Sequence, residues 1–245
     1  MLLTSDYYFK YRLGTSADSL PYFYAGDSWD NYQQKLGLLG SHWTFSDPKR
    51  VHYSLNNQGY RCDQFEDIPW SESILLFGCS IIFGVGISDH ETVPEQLTSI
   101  IGKPVINLAQ GGSSPEFQRL ITEILRAREI VPRAVIYVWP NSDRYCTVEQ
   151  GGIARHWGSW NVHKDEMPQH IREFILDPEK NLQYLQSCID QCQWSCPAYH
   201  FTARPQLALP GIPIIPTSDR SRDGHHPGPV GALRIAQFLS KNINL

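Results

Sequence analysis

No run of apolar residues in this 245-residue chain is long enough to cross a bilayer. None approaches the ~18 consecutive apolar residues that a spanning helix requires. The start, Met1 to Lys10, also lacks the basic residues and the apolar stretch of a secretory signal. These two absences predict a cytoplasmic protein with no membrane span.

Clusters of basic residues are also missing. The 21 Lys and Arg are outnumbered by 25 Asp and Glu, and the formal net charge is -4. The best basic candidates, Lys49-Arg50 and Arg220 to Arg222, are short. Because nucleic-acid binding needs a basic patch or stripe, we expect no nucleic-acid partner.

Cysteine is too sparse for a disulfide-dense scaffold, with six in the whole chain. In a chain of this length without a secretion signal, free buried thiols are the expected state. Cys188, Cys192 and Cys196 recur every four residues and would share one stripe of a helix. With His200 they could form a metal site, but zinc sites usually use tighter pairs from separate turns, so we favour core packing.

Apolar residues make up 41% of the chain, which is ample for a globular core. Residues 1–70 are rich in aromatic residues and irregular, which indicates an N-terminal extension packed on a main domain of residues 71–245. In the main domain, predicted strands alternate with predicted helices, which indicates a parallel sheet covered on both faces. The predicted strands are Ser73 to Phe77, Pro104 to Leu108, Ala134 to Val138 and Ile212 to Ile215. The predicted helices are Thr92 to Ile101, Ser114 towards Ile130, Asp177 through Cys192, and Pro229 to Asn242.

Candidate catalytic residues follow the ends of these strands, where parallel sheets hold their sites. Ser80 comes directly after the first strand and could be a nucleophile if a base took its proton; alternatively it caps a helix. Asp223 precedes His226 by three residues and could accept its Nδ1–H, or the two could belong to an ordinary turn. Gly112 and Asn141 could offer N–H groups to an oxyanion, or serve as turn residues.

Four segments, in this order, resemble conserved blocks of the SGNH/GDSL hydrolases. FGCSIIFGVGISDHETVPEQL is similar to the first block, and VINLAQGGSS is similar to the second. AVIYVWPNS resembles the third, and DGHHPGPVGALRIAQFL is similar to the fifth. The resemblance covers roughly residues 73 to 241.

The resemblance implies a three-layer α/β/α sandwich with a flavodoxin-like parallel sheet, and ester hydrolysis with no metal ion or organic cofactor. It makes Ser80 the nucleophile, His226 the general base and acid, and Asp223 the residue that orients His226. The oxyanion hole would consist of the Ser80 N–H, the Gly112 N–H and the Asn141 side chain.

The sequence departs from the family pattern at several positions. Cys79 replaces the Asp of Gly-Asp-Ser, and the third block lacks both its Gly and its final Asp, which makes Arg144 an alternative anion contact. A literal Gly-Asp-Ser at residues 26–28 is followed by no glycine loop and by no apparent amphipathic helix, so we interpret it as a turn. Arg61 follows an Asn-Asn-Gln-Gly-Tyr segment, and we hypothesise that it lines the cleft.

These observations predict a serine esterase acting on small O-acyl esters, acetylated carbohydrates among them. One alternative is an O-acyltransferase that uses the same site, and another is a non-catalytic binding module on the same fold. The long segment 142–177 is a possible lid insertion, because connections of this length are unusual within a domain. The substrate is expected to be a small-molecule or carbohydrate acyl ester, and the oligomeric state is left open.

Overall fold

A four-stranded parallel sheet forms the centre of the fold. The computed structural model describes residues 2–6, 22–24, 27–204, 209–212 and 219–245. The sheet contains β2 (Ile74–Phe77), β3 (Val105–Asn107), β4 (Ala134–Trp139) and β7 (Ala198–Thr202). Their order is β3-β2-β4-β7, and all three neighbouring pairs are parallel. When only these four strands are counted along the chain, their order is 2-1-3-4, which is the order of a flavodoxin-like sheet, as predicted.

Three of the four strands of the sheet were predicted from their apolar residues, which are interrupted only by Asn107 in β3. Every residue of β2, β3 and β4 is buried, because helices cover both faces of the sheet. Strand β7 was not predicted, since its sequence AYHFT mixes polar and apolar residues. Of the predicted strand at 212–215, only Ile212 is described, and its N–H donates to the Thr202 carbonyl at 3.0 Å; residues 213–215 lie outside the described residues.

Helices lie on both sides of the sheet and complete the three predicted layers. Helices α3 (Val93–Ile101) and α7 (Pro229–Asn242) pack together on one face. Helices α4 (Pro115–Ala127) and α6 (Pro178–Gln191) pack together on the other. The remaining helices are α1 (Trp29–Leu39), α2 (Ser80–Phe83) and α5 (Gln169–Ile175). The prediction of a three-layer α/β/α sandwich is confirmed.

Alternate residues of the strands divide the core in two. Ile74 and Leu76 of β2 pack with α3 and α7, whereas Leu75 and Phe77 pack with α4 and α6. The N-terminal segment contributes to both halves of the core, so it is continuous with the sandwich. Its buried side chains are Tyr24, Phe45, Val51 and Tyr53 on the first side, and Leu2, Leu3, Tyr60, Phe65 and Ile68 on the second.

The segment predicted as a possible lid is a folded unit. Strands β5 (Arg144–Glu149) and β6 (Ile153–Gly158) form an antiparallel hairpin. Strand β1 (Thr4–Ser5) pairs in parallel with β6, so the start of the chain joins this hairpin. A small apolar cluster between the hairpin and α5 contains Trp157, Met167, Ile171 and Ile175.

The cysteines are free, and the prediction that Cys188, Cys192 and Cys196 share one helical stripe is wrong, because α6 ends at Gln191 and Cys196 lies beyond it. Cys188 and Cys192 are fully buried among apolar side chains, and Cys196 is half-buried. His200 stacks on Tyr137 and Trp139, and its Nδ1 accepts a hydrogen bond from Trp139 Nε1 at 3.1 Å. Burial lowers the pKa of His200, which favours the neutral acceptor form. These contacts agree with the core interpretation rather than with a metal site.

The described ranges contain neither a membrane-spanning helix nor a cluster of metal-binding side chains. None of the helices in these ranges has the length and apolar character needed to cross a membrane. Nor do they contain a group of three or more His, Cys, Asp or Glu side chains arranged to hold a metal ion.

Packing of α6 against the sheet can be tested with two leucines. Leu185 is fully buried, whereas Leu176, just after α5, is 66% exposed. Leu185→Ala should lower the free energy of unfolding by about 2–5 kcal/mol, because it leaves a cavity in the core. Leu176→Ala should change it by less than about 0.5 kcal/mol. Urea unfolding of both variants measures the difference, and equal effects would contradict the described packing.

Candidate active site

Ser80 lies in a tight turn that leads from the central strand β2 into the short helix α2. A Cβ atom at Gly78 would collide with the Ile82 side chain, so the turn requires glycine there. The N-cap residue of α2 is Cys79, whose carbonyl accepts hydrogen bonds from the N–H groups of Ile82 and Phe83. Ser80 is therefore the first residue of the helix and not its cap, which removes the alternative interpretation of this serine.

Three predicted side chains form one hydrogen-bonded chain. Ser80 Oγ lies 2.8 Å from His226 Nε2, and His226 Nδ1 lies 2.5 Å from Asp223 Oδ2. The Asp223 side chain is 2% exposed, whereas that of His226 is 24% exposed and so remains accessible. The neighbouring His225 is exposed, and only its main chain takes part, through an N–H to Asp223 Oδ1 at 2.9 Å.

A tight loop before α7 holds this aspartate and histidine together. Asp223 Oδ1 accepts hydrogen bonds from Ser221 Oγ at 2.5 Å and from the His226 N–H at 3.1 Å. The Ser221 N–H donates to the His226 carbonyl at 3.0 Å, which closes the loop. Gly224 adopts a φ of 73° inside it, a left-handed conformation that favours glycine. The three-residue spacing thus forms a turn and also brings the two side chains together.

The surroundings of Asp223 keep its carboxylate ionised. Burial by itself raises the pKa of Asp223, but the hydrogen bond and charge of His226 lower it, as do hydrogen bonds from Ser221 and the His225 N–H. The resulting pKa is about 2. An ionised Asp223 favours the tautomer of His226 that carries its proton on Nδ1, which leaves Nε2 free to accept the Ser80 proton.

Gly112 lies in a turn that is bonded to the Ser80 turn. Ser113 Oγ donates to the Gly78 carbonyl at 2.7 Å. Gly112 has a φ of 72°, and its N–H donates to no group within the described ranges. The same is true of the Ser80 N–H, which starts α2 and has no acceptor in the helix. Two unengaged backbone donors therefore lie in adjoining turns at this end of the sheet.

Asn141 and Arg144 follow the neighbouring strand β4. Asn141 is half-buried, and its side chain makes no hydrogen bond to the residues described. Arg144 Nη1 donates to the Ser113 carbonyl at 3.3 Å, which brings the guanidinium to the residue after Gly112. The Trp160 ring lies 5.0 Å from the Arg144 guanidinium carbon and is 46% exposed. Arg144 therefore contacts the turn that contains Gly112, whereas Asn141 follows β4, the strand that pairs with β2.

The literal Gly-Asp-Ser at residues 26–28 is a structural feature. The segment was interpreted as a turn with no amphipathic helix after it, whereas in the structure a surface helix, α1, begins at Trp29, and Ser28 Oγ caps it by accepting from the Asn31 N–H at 3.3 Å. The helix was missed because it buries only Tyr32. Asp27 is buried and pairs with Arg222. No sequence pattern connects these two residues, and Gly26 lies outside the described residues.

Arg61 is buried and supports the turn after Ser80. Its guanidinium donates to four backbone carbonyls, those of His52, Phe83, Gly84 and Ile87. It also pairs with Asp89 at 2.6 Å. The hypothesis that Arg61 lines the catalytic cleft is therefore replaced by a structural role. A separate cavity of about 300 Å³, beside α3 and β3, is lined in part by Arg61.

Comparisons with known proteins find similar solved structures. No protein-family model and no curated protein sequence matches the chain. A carbohydrate esterase family 2 enzyme of Myceliophthora fergusii is 11% identical, with a TM-score of 0.43, over 70% of this chain and 65% of that one. The acetyl xylan esterase Est2A of Butyrivibrio proteoclasticus is 10% identical, with a TM-score of 0.42, over 71% and 64%. A member of the lipolytic G-D-S-L family from Veillonella parvula is 11% identical, with a TM-score of 0.42, over 69% and 96%.

The chain thus spans slightly less than two thirds of the length of the first two structures. The likeness is one of fold, and the activity of this chain is argued from its own site.

The depressed pKa of Asp223 predicts a pH-dependent contribution to stability. A carboxyl whose pKa falls on folding stabilises the protein above its unfolded pKa, and this contribution is lost as the pH falls through the folded pKa. From 3.8 to about 2, the shift is worth roughly 2 kcal/mol, lost between about pH 4 and pH 2. The stability gap between wild type and Asp223→Asn should therefore narrow across this range.

Urea unfolding of both proteins at a series of pH values measures that gap. The exposed Asp190→Asn serves as the control and should track the wild type within about 0.5 kcal/mol. A gap between wild type and Asp223→Asn that stays constant down to about pH 2 would show that folding does not stabilise this carboxylate.

Proposed function

We propose that this chain is a serine esterase of the SGNH/GDSL type, which passes an acyl group to Ser80 and then to water. The observation that carries the proposal is the chain of hydrogen bonds from Ser80 Oγ through His226 to the buried carboxylate of Asp223. This arrangement is how proteins activate a serine hydroxyl that is otherwise a weak nucleophile.

In the acylation step, Ser80 Oγ attacks the ester carbonyl carbon while His226 Nε2 takes its proton. Asp223 stabilises the imidazolium that forms. The tetrahedral intermediate then collapses, the bond to the alcohol oxygen breaks, and the alcohol leaves with the proton from His226. In the second step, His226 takes a proton from water, which attacks the acyl carbon. The acid is released, and the proton returns to Ser80 Oγ.

The oxyanion of each tetrahedral intermediate needs donors that are already in place. The N–H groups of Ser80 and Gly112 fit this role because neither donates to another described group. The Asn141 side chain would be the third donor, and its lack of a hydrogen-bond partner in the described ranges favours this assignment. Arg144 is already bonded to the Ser113 carbonyl, which favours a role in binding the substrate instead.

The substrate class proposed is a small O-acyl ester of a carbohydrate. Trp160 supports this choice, because its half-exposed indole lies over Arg144, whose guanidinium reaches the turn that contains Gly112. An exposed indole face can stack on a sugar ring, and a guanidinium can donate hydrogen bonds to its hydroxyl groups. Gly158 permits this placement, since a Cβ atom there would collide with the Trp160 ring.

Labelling with a fluorophosphonate probe tests the nucleophile. The wild type should be labelled, whereas Ser80→Ala and His226→Ala should lose labelling because they remove the nucleophile and its base. Ser28→Ala is the matched control, since Ser28 belongs to the literal Gly-Asp-Ser but caps α1. It should retain wild-type labelling.

Labelling that survives Ser80→Ala would refute the assignment of Ser80 as the nucleophile. A folded wild type that takes no label would favour the non-catalytic binding module.

Trp160→Ala tests the substrate class. We expect KM for an acetylated oligosaccharide to rise by about tenfold, which corresponds to about 1.4 kcal/mol of lost stacking. Hydrolysis of p-nitrophenyl acetate, which carries no sugar, should change little. Trp29→Ala is the control, because Trp29 is equally exposed at 47% but lies on α1. An unchanged KM for the oligosaccharide in Trp160→Ala would reject the carbohydrate assignment.

A further inference from the structure

Arg222 connects the catalytic loop to two other parts of the chain. It lies between Ser221 and Asp223, and its backbone N–H donates to the Gly86 carbonyl at 2.9 Å. Gly86 belongs to the turn after α2, the helix that begins with Ser80. The Arg222 side chain is fully buried and extends towards the N-terminal segment. One residue therefore contacts the Ser80 element through its main chain and the N-terminal segment through its guanidinium.

The guanidinium of Arg222 is enclosed by acceptors. Asp27 accepts from Arg222 Nε at 3.0 Å and from Nη2 at 2.7 Å, and the Asp27 side chain is 1% exposed. The carbonyl of Pro48 accepts from Nη1 at 2.7 Å, and the carbonyl of Tyr22 accepts from Nη2. The Phe23 ring packs against the guanidinium carbon at 4.3 Å. Asp27 supplies the negative charge that balances this buried cation.

The contacts of Asp27 close into a ring of four residues. Tyr53 Oη donates to Asp27 Oδ2 at 2.6 Å, and the Gly86 N–H donates to Tyr53 Oη at 2.7 Å. Since the Gly86 carbonyl accepts from the Arg222 N–H, the ring runs from Asp27 through Tyr53 and Gly86 to Arg222 and back. Gly86 has a φ of 79°, and a Cβ atom there would lie 2.7 Å from Ser221 Oγ. The two loops thus approach as closely as their backbones allow.

This ring connects the two segments that carry the halves of the proposed catalytic site. Gly86 moves with the turn that carries Ser80, and Arg222 moves with the loop that carries Asp223 and His226. The distance of 2.8 Å between Ser80 Oγ and His226 Nε2 depends on how these two segments are placed. A displacement of about 1 Å in a catalytic group can lower the rate by about 100-fold.

We infer that Asp27 is a positioning residue, which holds the Asp223–His226 pair in register with Ser80 through Arg222 and Tyr53. The inference rests on the proposed esterase function, and it gives the literal Gly-Asp-Ser at residues 26–28 a role at the site. Asp27 itself touches neither the nucleophile nor the base. Its carboxylate acts by fixing Arg222, and therefore the loop on either side of that residue.

The test compares Asp27→Asn with Tyr53→Phe. Asp27→Asn removes the charge that balances Arg222, and Tyr53→Phe breaks the ring but keeps the ion pair. We expect the rate of fluorophosphonate labelling, and kcat, to fall by about 10- to 100-fold in Asp27→Asn and by less in Tyr53→Phe. KM should change little, because substrate contacts are retained.

A second measurement reads the catalytic hydrogen bond without any catalysis. The proton that His226 Nδ1 shares with the ionised carboxylate of Asp223 should give a low-field proton resonance in the wild type, because a charge-assisted hydrogen bond deshields its proton. We expect this resonance to shift or broaden in Asp27→Asn at a temperature where circular dichroism shows a folded protein. A role in stability alone would leave it unchanged.

Glu91→Gln provides the matched control. Glu91 also pairs with an arginine, the half-buried Arg50. It lies in the short 3-10 helix that precedes α3. Glutamine can keep the capping hydrogen bond to the Ser88 N–H, so the variant removes a charge and little else. It should leave both the labelling rate and the low-field resonance at wild-type values.

The outcomes separate this inference from the proposed function. If the wild type takes no label, the esterase proposal fails, while the resonance still reports whether Asp27 positions His226. If folded Asp27→Asn labels at the wild-type rate with an unchanged resonance, the positioning role is overturned. If Asp27→Asn does not fold, Tyr53→Phe carries the test, and wild-type values for both measurements in that variant overturn the inference.

Discussion

The ionised carboxylate of Asp223 is the constraint on which the rest of the site depends. A buried charge is stable only when hydrogen bonds and an opposite charge compensate it, and Asp223 receives both within its own loop. Because those donors are already arranged in the folded chain, the carboxylate can select one tautomer of His226. The orientation of His226 then decides where Ser80 Oγ finds its acceptor. A neutral or differently placed carboxyl would leave the histidine free to rotate, and the serine would lose its base.

The parallel sheet alone does not bring these groups together. It aligns the ends of β2, β3 and β4, which brings the turns of Ser80, Gly112 and Asn141 to one edge. His226 comes from a loop 146 residues after Ser80, beyond the last described strand. Its placement relies on polar contacts between loops. The Arg222 N–H donates to the Gly86 carbonyl, and the buried Arg222 guanidinium pairs with the buried carboxylate of Asp27. The N-terminal segment that supplies Asp27 is therefore a structural part of the site rather than an appendage.

Local signals made most of the sheet predictable. Strands β2 and β4 are continuous apolar runs, β3 is apolar apart from Asn107, and Pro115 and Pro178 mark the first residues of their helices. Motif order made Ser80, Asp223 and His226 recognisable. Strand β7 gave no such signal, because its polar residues form stacking and hydrogen-bonding contacts with β4 that the sequence does not reveal. The pair of Asp27 and Arg222, separated by 195 positions, has no local signature at all.

The segments Gly78-Cys79-Ser80 and Gly26-Asp27-Ser28 show why context decides what a short motif does. Gly78 follows a fully buried central strand, so the turn after it projects Ser80 from the edge of the sheet towards a loop that supplies a base. The literal Gly-Asp-Ser precedes a surface helix, so its serine caps that helix and its aspartate points inwards to a cation. The serine that the two segments share is thus a nucleophile candidate in one setting and a helix cap in the other. What differs is the strand before the motif and the charge that the folded chain brings to it.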